Sequence, residues 1–206
     1  MKTIVVTGTD TDIGKTVFAA GLARALGGYY WKPIQAGLDD GSDSARVADL
    51  GVPASAIIPE AYRLTTPCSP HRAAELDDIA IDPSRLALPS LEAPLVVEGA
   101  GGALVPVTRN LLYADLFAQW TAPVVIVART MLGTINHSLL TIEALRARRV
   151  PILGIAFVGD PQEESEATIC TIGNVERLGR LARLDPLNAD TLSRAFAAGF
   201  SEGTWG

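Results

Sequence analysis

Residues 8 to 16 read Gly8-Thr9-Asp10-Thr11-Asp12-Ile13-Gly14-Lys15-Thr16. The apolar run Thr3-Ile4-Val5-Val6-Thr7 precedes them, and a helix-like stretch from Val17 to Leu26 follows. A strand, a turn ending in Gly-Lys-Thr and a helix make a phosphate cradle, because the turn and the helix N-terminus aim backbone N–H groups at a polyphosphate. In such a cradle Lys15 reaches the β/γ-phosphates and the Thr16 hydroxyl ligates Mg²⁺. Ile13, Gly14, Lys15, Thr16 and Val17 are the expected nucleotide contacts. The first glycine stands one residue earlier than in the common G-x-x-x-x-G-K-[ST] pattern, with Thr9 in its place, so this is a deviant P-loop. The loop also carries Asp10 and Asp12, where a pure anion cradle would avoid negative charge. One of them is expected to do something other than hold phosphate.

Three other residues could do chemistry. Of 17 basic residues only Lys2, Lys15 and Lys32 are lysines, the rest being arginines. In such a chain an interior lysine suggests a site that needs a compact ammonium rather than a planar fork. Lys32 ends an apolar run and precedes Pro33, which holds it extended; it either stabilises an anion or snorkels to solvent. Glu98 closes Leu95-Val96-Val97 and opens Gly99-Ala100-Gly101-Gly102, where it could take Mg²⁺ opposite Thr16. The glycines would let backbone N–H groups approach a phosphate or a substrate carboxylate. Asp43 follows the turn-like Asp39-Asp40-Gly41-Ser42, and locally it reads as a helix cap or first-turn residue.

The elements that must position these residues alternate. Thr3–Thr7, Tyr29–Lys32, Leu95–Glu98, Val124–Ala128 and Ile152–Val158 read as strands, several of them continuously apolar as in parallel strands covered on both faces. Thr16–Leu26, Asp43–Leu50, Tyr113–Gln119, Ile135–Arg148, Glu163–Thr171 and Ala189–Ala198 read as helices. The β-α-β order predicts an α/β fold of P-loop NTPase type, a doubly wound and mostly parallel sheet with helices on both faces. In that fold ligands bind beyond the carboxyl ends of the strands, where the P-loop, the Lys32–Gly37 segment and the Glu98–Gly102 segment all fall. Residues 51–94, rich in proline, show no clear period.

At 206 residues and 48% hydrophobic content the chain can bury a sizeable core, and residues 1–206 read as a single domain. A net charge of −6 argues against nucleic acid as a main partner. The one basic cluster, Arg146-Ala147-Arg148-Arg149, sits at an expected helix C-terminus, where cations suit the helix dipole. Cys68 and Cys170 lack metal-ligand spacing and read as reduced thiols of a cytoplasmic protein; His71 and His137 are likewise unpaired. No apolar run approaches the roughly 18 residues of a membrane helix, and no leader pattern opens the chain.

Jointly the motifs resemble the dethiobiotin synthetase family. The similar pieces are the loop from Gly8 to Thr16, Lys32-Pro33-Ile34, Ser69-Pro70-His71 with Ala73-Ala74, Glu98-Gly99-Ala100-Gly101-Gly102 and Leu132-Gly133-Thr134-Ile135-Asn136-His137, in the family's order. The resemblance implies a homodimeric ligase, dependent on ATP and Mg²⁺, that joins CO₂ to 7,8-diaminononanoate and closes a cyclic urea. Lys32 then matches the catalytic lysine and acts with Lys15, Thr16 serves phosphate and metal, and Asp43 and Glu98 match acidic metal or nucleotide positions. This displaces the cap reading of Asp43. Asp12 would lie near the nucleotide or the diamine and could pair with a substrate ammonium. Gly99, Ala100 and Gly101 fall on the nucleotide side, Gly101 also touching substrate. Gly133, Thr134 and Asn136 look like the segment that reaches the partner subunit's substrate. The chain departs from the pattern twice: Ala36 stands where the family usually has a substrate-facing hydroxyl, and Gly159-Asp160 where it has Asn-Asp reading the purine. The second departure predicts looser nucleotide selectivity. The stretch Arg180-Leu181-Ala182-Arg183-Leu184 aligns loosely with the family's base-binding segment.

Rival readings differ in class. A partitioning or positioning ATPase, which switches protein contacts, would carry an extra lysine early in the loop, and Asp10-Thr11-Asp12-Ile13 has none. A GTPase would show Asn-Lys-x-Asp after a late strand. A related amidotransferase-type ligase would need a long further domain with a reactive Cys and His. A protein that only binds nucleotide would hydrolyse no ATP in response to a diamine.

Overall fold

The computed structural model describes residues 3–39 and 41–205; Lys2 and Asp40, the latter in the turn read before Asp43, lie outside them. The first half runs β1 (Thr3–Gly8), α1 (Lys15–Ala25), β2 (Tyr29–Trp31), β3 (Ile34–Ala36), α2 (Asp43–Asp49), β4 (Ile57–Ile58), β5 (Tyr62–Leu64) and α3 (Pro70–Leu76). Next come β6 (Leu95–Gly102), β7 (Pro106–Thr108), β8 (Leu111–Leu112), α4 (Tyr113–Trp120), β9 (Val124–Arg129) and α5 (Thr134–Arg146). The chain closes with β10 (Ile152–Val158), α6 (Glu163–Gly173), β11 (Arg177–Leu181) and α7 (Ala189–Gly199).

Seven strands form one sheet in the order β11-β10-β9-β1-β6-β2-β4, every pairing parallel. Strand alternation explains why the central runs are apolar throughout: Ile4 and Val6 of β1 pack with α1 and α7 on one face, while Val5 packs on the other. Phe18, Leu192 and Phe196 fill the first face, and Phe117, Ile142 and Ile169 the second. This is the doubly wound fold expected from the sequence. Chain order reverses about β1, so the P-loop that follows β1 opens at the switch point.

Three expectations change. The strand read as Leu95–Glu98 continues to Gly102, because the glycine run keeps pairing with β1 through Gly8↔Gly102. Glu98 is thus a mid-strand residue, not a strand end. The unreadable stretch 51–94 contains the edge strand β4, the strand β5, which pairs in parallel with β3 of the preceding segment, and α3, which opens on Pro70 and anchors itself through Ala73 and Ala74. Residues 177–181, not read as a strand, form the edge strand β11, and the stretch Arg180–Leu184 aligned with the base-binding segment begins on its last two residues.

Two arginines hid β11, and a buried acid explains them. Glu166 of α6 is 1% exposed and meets Arg180 Nη1 at 2.6 Å and Arg177 Nη2 at 2.7 Å. Burial alone would raise the Glu166 carboxyl, but Arg180 and Arg177 outweigh it and hold the group below the usual carboxylate range. Its contribution to stability is therefore present above the unfolded-state carboxylate value and is lost as pH falls through the lower folded value. Removing the acid leaves two partly buried guanidinium groups unpaired, so Glu166→Ala should cost about 2–3 kcal/mol. Thermal unfolding should show a loss of roughly 5–10 °C, with turnover unchanged. The basic cluster at the end of α5 is similarly spent on structure: Arg148 pairs with Asp115, and Arg146 donates to the Asn174 carbonyl.

Candidate active site

The loop after β1 folds tightly over its own lysine. A Cβ added at Gly8 would lie 2.7 Å from Ile13 Cδ1 and 2.8 Å from Lys15 Cδ, so the early glycine is needed where the lysine stem crosses β1. Lys15 is 7% exposed and its Nζ donates to the Asp10 carbonyl at 2.7 Å. Burial lowers its pKa, an effect that Glu98 opposes. Gly14 caps α1 in the left-handed region at φ 95°, and Asp12 shares that region at φ 54°. A non-glycine residue there stores strain of the kind found at functional sites. Asp12 is exposed on the cavity wall, its carboxylate open to a ligand.

Opposite the loop, two carboxylates converge on one ammonium. Lys32, just beyond β2, is 4% exposed; its Nζ lies 3.0 Å from Glu98 Oε1 and is ion-paired with Asp43 Oδ2. The solvent-snorkelling alternative is excluded by that burial. Desolvation would depress the Lys32 pKa, but Glu98 and Asp43 together raise it well above the ordinary lysine value. The Thr16 hydroxyl lies 2.9 Å from Glu98 Oε1 and 3.1 Å from Asp43 Oδ1. Ser42, not Asp43, caps α2: its hydroxyl accepts from Ala45 N–H, leaving the Asp43 carboxylate free to face Lys32 and Thr16. The buried Gln35 holds this arrangement, its Oε1 accepting from Asp43 N–H at 3.0 Å and its amide donating to the Gly37 carbonyl at 3.1 Å.

These groups line one cavity of about 860 Å³. Of the residues read from sequence, the structure brings there Asp12, Ile13, Gly14, Lys15, Thr16, Val17, Lys32, Ala36, Asp43, Glu98, Ala100 and Gly101. Gly99 is not among them: alternation along β6 turns it to the opposite face, where an added Cβ would sit 3.1 Å from Phe117. Gly133, Thr134 and Asn136 also lie off the cavity, Gly133 capping α5 and Asn136 standing exposed. Gly159 and Asp160 follow β10 outside the cavity wall. At Gly159, φ is 132° and an added Cβ would lie 2.4 Å from Thr130 Oγ1, so the Thr130 hydroxyl fills the space an asparagine side chain would leave through.

Sequence reasoning gave no site role to Tyr30, Gln35, Cys68 or Ser69, although Gln35 lies in the Lys32–Gly37 segment and Ser69 in the motif Ser69-Pro70-His71. Cys68 and Ser69 line the cavity from the poorly patterned 51–94 stretch, and Ser69 makes no side-chain cap bond to α3. Tyr30 had a usable signal: it is two residues ahead of Lys32 and shares its strand face.

A Gly-Lys-Thr loop between a central parallel strand and a helix, at the switch point of a doubly wound sheet, defines a P-loop nucleotide-binding protein. A family model described as AAA domain matches residues 2–191. A plasmid partition protein from Borrelia burgdorferi superposes with TM-score 0.56 at 11% identity, covering 96% of each chain. The MinC:MinD cell division complex of Aquifex aeolicus gives TM-score 0.52 at 15% identity, over 95% of this chain and 86% of that one. At such identities the likeness is one of fold.

Sequence relatives are far nearer. The chain is 68% identical to the ATP-dependent dethiobiotin synthetase of Novosphingobium aromaticivorans over 97% of both chains. It is 67% identical to that of Rhizorhabdus wittichii, over 97% of this chain and 96% of the relative. With that of Rhodopseudomonas palustris it shares 62%, over 97% and 94%. The chain belongs to the ATP-dependent dethiobiotin synthetase family.

Proposed function

We propose that residues 1–206 act as one ligase domain that joins CO₂ to 7,8-diaminononanoate at the expense of ATP, closing the ureido ring of dethiobiotin. One observation carries the reading: Lys15, Thr16, Lys32, Asp43 and Glu98 meet at one cavity in a chain 68% identical to a named synthetase.

One substrate amine takes up CO₂ as a carbamate and loses a proton. A carbamate oxygen attacks the γ-phosphorus of ATP, and ADP leaves. The second amine attacks the activated carbonyl carbon, phosphate departs with that oxygen, and a proton is released as the five-membered ring closes. Both amines belong to one molecule, so closure gains from proximity. The protein's work is positioning and neutralising negative charge.

Lys15, whose ammonium donates to the Asp10 carbonyl, would turn from it to the phosphates. Lys32 presents a permanent positive charge to the carbamate and the transferring phosphoryl group. Asp12 is placed to receive a substrate ammonium. The donor set fits Mg²⁺: Thr16, Asp43 and Glu98 offer hard oxygens, the Thr16 hydroxyl bonding to both carboxylates and the two carboxylates already sharing a cation in the Lys32 ammonium. Among the described residues no group of three or more His, Cys, Asp or Glu could hold a metal, so nucleotide oxygens and water would complete its shell. When bound, Mg²⁺ would neutralise phosphate charge as the γ-phosphoryl group transfers.

The reading extends to a homodimer. Met131 and Leu132 are 55% and 102% exposed beside Gly133, and Leu140 of α5 is 57% exposed, apolar side chains that a second copy would cover. This would carry Gly133, Thr134 and Asn136 to the partner's substrate. Sedimentation should give a dimer, and Leu132→Asp should shift it toward monomer while raising the KM for the diamine. A sedimenting monomer in the unaltered protein would reject the shared site. Cys68 and Cys170 are free thiols, which suits a reducing cytoplasm.

The reaction predicts that ¹⁸O supplied in CO₂ appears in the released phosphate, since the carbamate oxygen stays on phosphorus. Phosphate without label would exclude carbamate phosphorylation.

A further inference from the structure

Glu98 is wholly buried, and its two oxygens have different surroundings. Oε1 faces Lys32 Nζ at 3.0 Å and the Thr16 hydroxyl at 2.9 Å. On the other side Oε2 accepts from the Tyr30 hydroxyl at 2.9 Å. Tyr30 is itself fully buried and sits opposite Val96, two residues before Glu98 on the same face of β6. The β2–β6 register thus stacks a phenol, an ammonium and a carboxylate on one face, with the phenol on the inner side.

We propose that Tyr30 is a positioning residue for the ring-closing reaction: its hydroxyl pins Glu98 Oε2 and turns Oε1 toward Thr16, Asp43 and the divalent cation they would hold. The proposal rests on the reading of Glu98 as a metal-side carboxylate. The terminal torsion of a glutamate is broad, so a carboxylate bonded only at Oε1 could rotate between its neighbours. A neutral donor fixes the angle without adding charge that would compete with a cation at Oε1.

The test is Mn²⁺ binding in the presence of ADP, read from the free Mn²⁺ signal by electron paramagnetic resonance, with no turnover involved. Tyr30→Phe should weaken Mn²⁺ binding by about 10- to 100-fold. p-Aminophenylalanine at position 30 keeps a para N–H donor and should restore affinity to within about threefold, whereas p-fluorophenylalanine, matched in shape but not a donor, should not. That pair gives the same answer should Tyr30→Phe fold poorly. Tyr62→Phe removes another buried hydroxyl, one bonded to the Asp82 N–H at 2.8 Å, and should leave Mn²⁺ affinity unchanged. Glu98→Gln tests the underlying reading. If Glu98→Gln weakens Mn²⁺ binding while Tyr30→Phe and the fluoro variant stay within about twofold of the unaltered protein, the positioning role is overturned. If Glu98→Gln binds Mn²⁺ normally, the metal-side reading is wrong and the Tyr30 proposal goes with it.

Discussion

Lys32→Ala is expected to lower kcat/KM by about 10²- to 10³-fold, the range for removing one preorganised donor aimed at developing negative charge. Lys32 is 4% exposed and held by two carboxylates, so its ammonium needs no reorganisation when the carbamate is phosphorylated. Its raised pKa keeps it charged throughout any usable pH range. The part of stability that depends on this charge is present below the ordinary lysine value and is lost only as pH climbs through the higher folded one. Activity should accordingly show no limb that titrates with Lys32. The substitution also strips Glu98, at 0% exposure, of its closest cation, and an unpaired buried charge can cost about 3–5 kcal/mol. Melting curves must therefore accompany the kinetics. Lys32→Arg should not rescue, because a planar fork cannot occupy the compact position between Asp43 and Glu98. Full turnover in folded Lys32→Ala would remove Lys32 from the chemistry.

Glu98→Gln should be comparably damaging to activity yet milder for the fold. The amide is isosteric; its oxygen can still accept from Lys32 and Thr16, and its nitrogen can donate to the Tyr30 oxygen. What disappears is one of two negative charges facing Lys32, and with it one of the two carboxylate ligands offered to a divalent cation. A loss of about 10²-fold in kcat is expected, with a rise in the Mg²⁺ concentration needed for half-maximal rate. A Mg²⁺ dependence unchanged from the original protein would move the metal off Glu98.

Much of this site was legible because its motifs are local. Gly14-Lys15-Thr16 between an apolar strand and a helix specifies both the cradle and its place at the switch point. Lys32 was legible from lysine scarcity and its position at a strand end. Asp43 was legible only through resemblance: a carboxylate in the first turn of a helix reads locally as a cap, and the ion pair that redirects it is made with Lys32, across the turn and β3 that separate the two. Glu98 was placed at a strand end because glycines usually stop strands, but Gly8 and Gly102 pair instead and draw β6 onward. Tyr30 sits in an apolar run and reads as core; only the pairing of β2 with β6 reveals its hydroxyl over Glu98. β11 was hidden by Arg177 and Arg180, whose charges meet a buried acid rather than water. In each miss a long-range partner decided what a local pattern left open.

The most direct measurement is ADP release with Mg²⁺, ATP and bicarbonate, made with and without 7,8-diaminononanoate, with the product weighed by mass spectrometry. The proposed reaction requires ADP release that depends on the diamine, and a product heavier than the diamine by one carbonyl less two hydrogens. ADP release indifferent to the diamine, with no cyclic urea formed, would leave a genuine P-loop whose substrate is a different molecule.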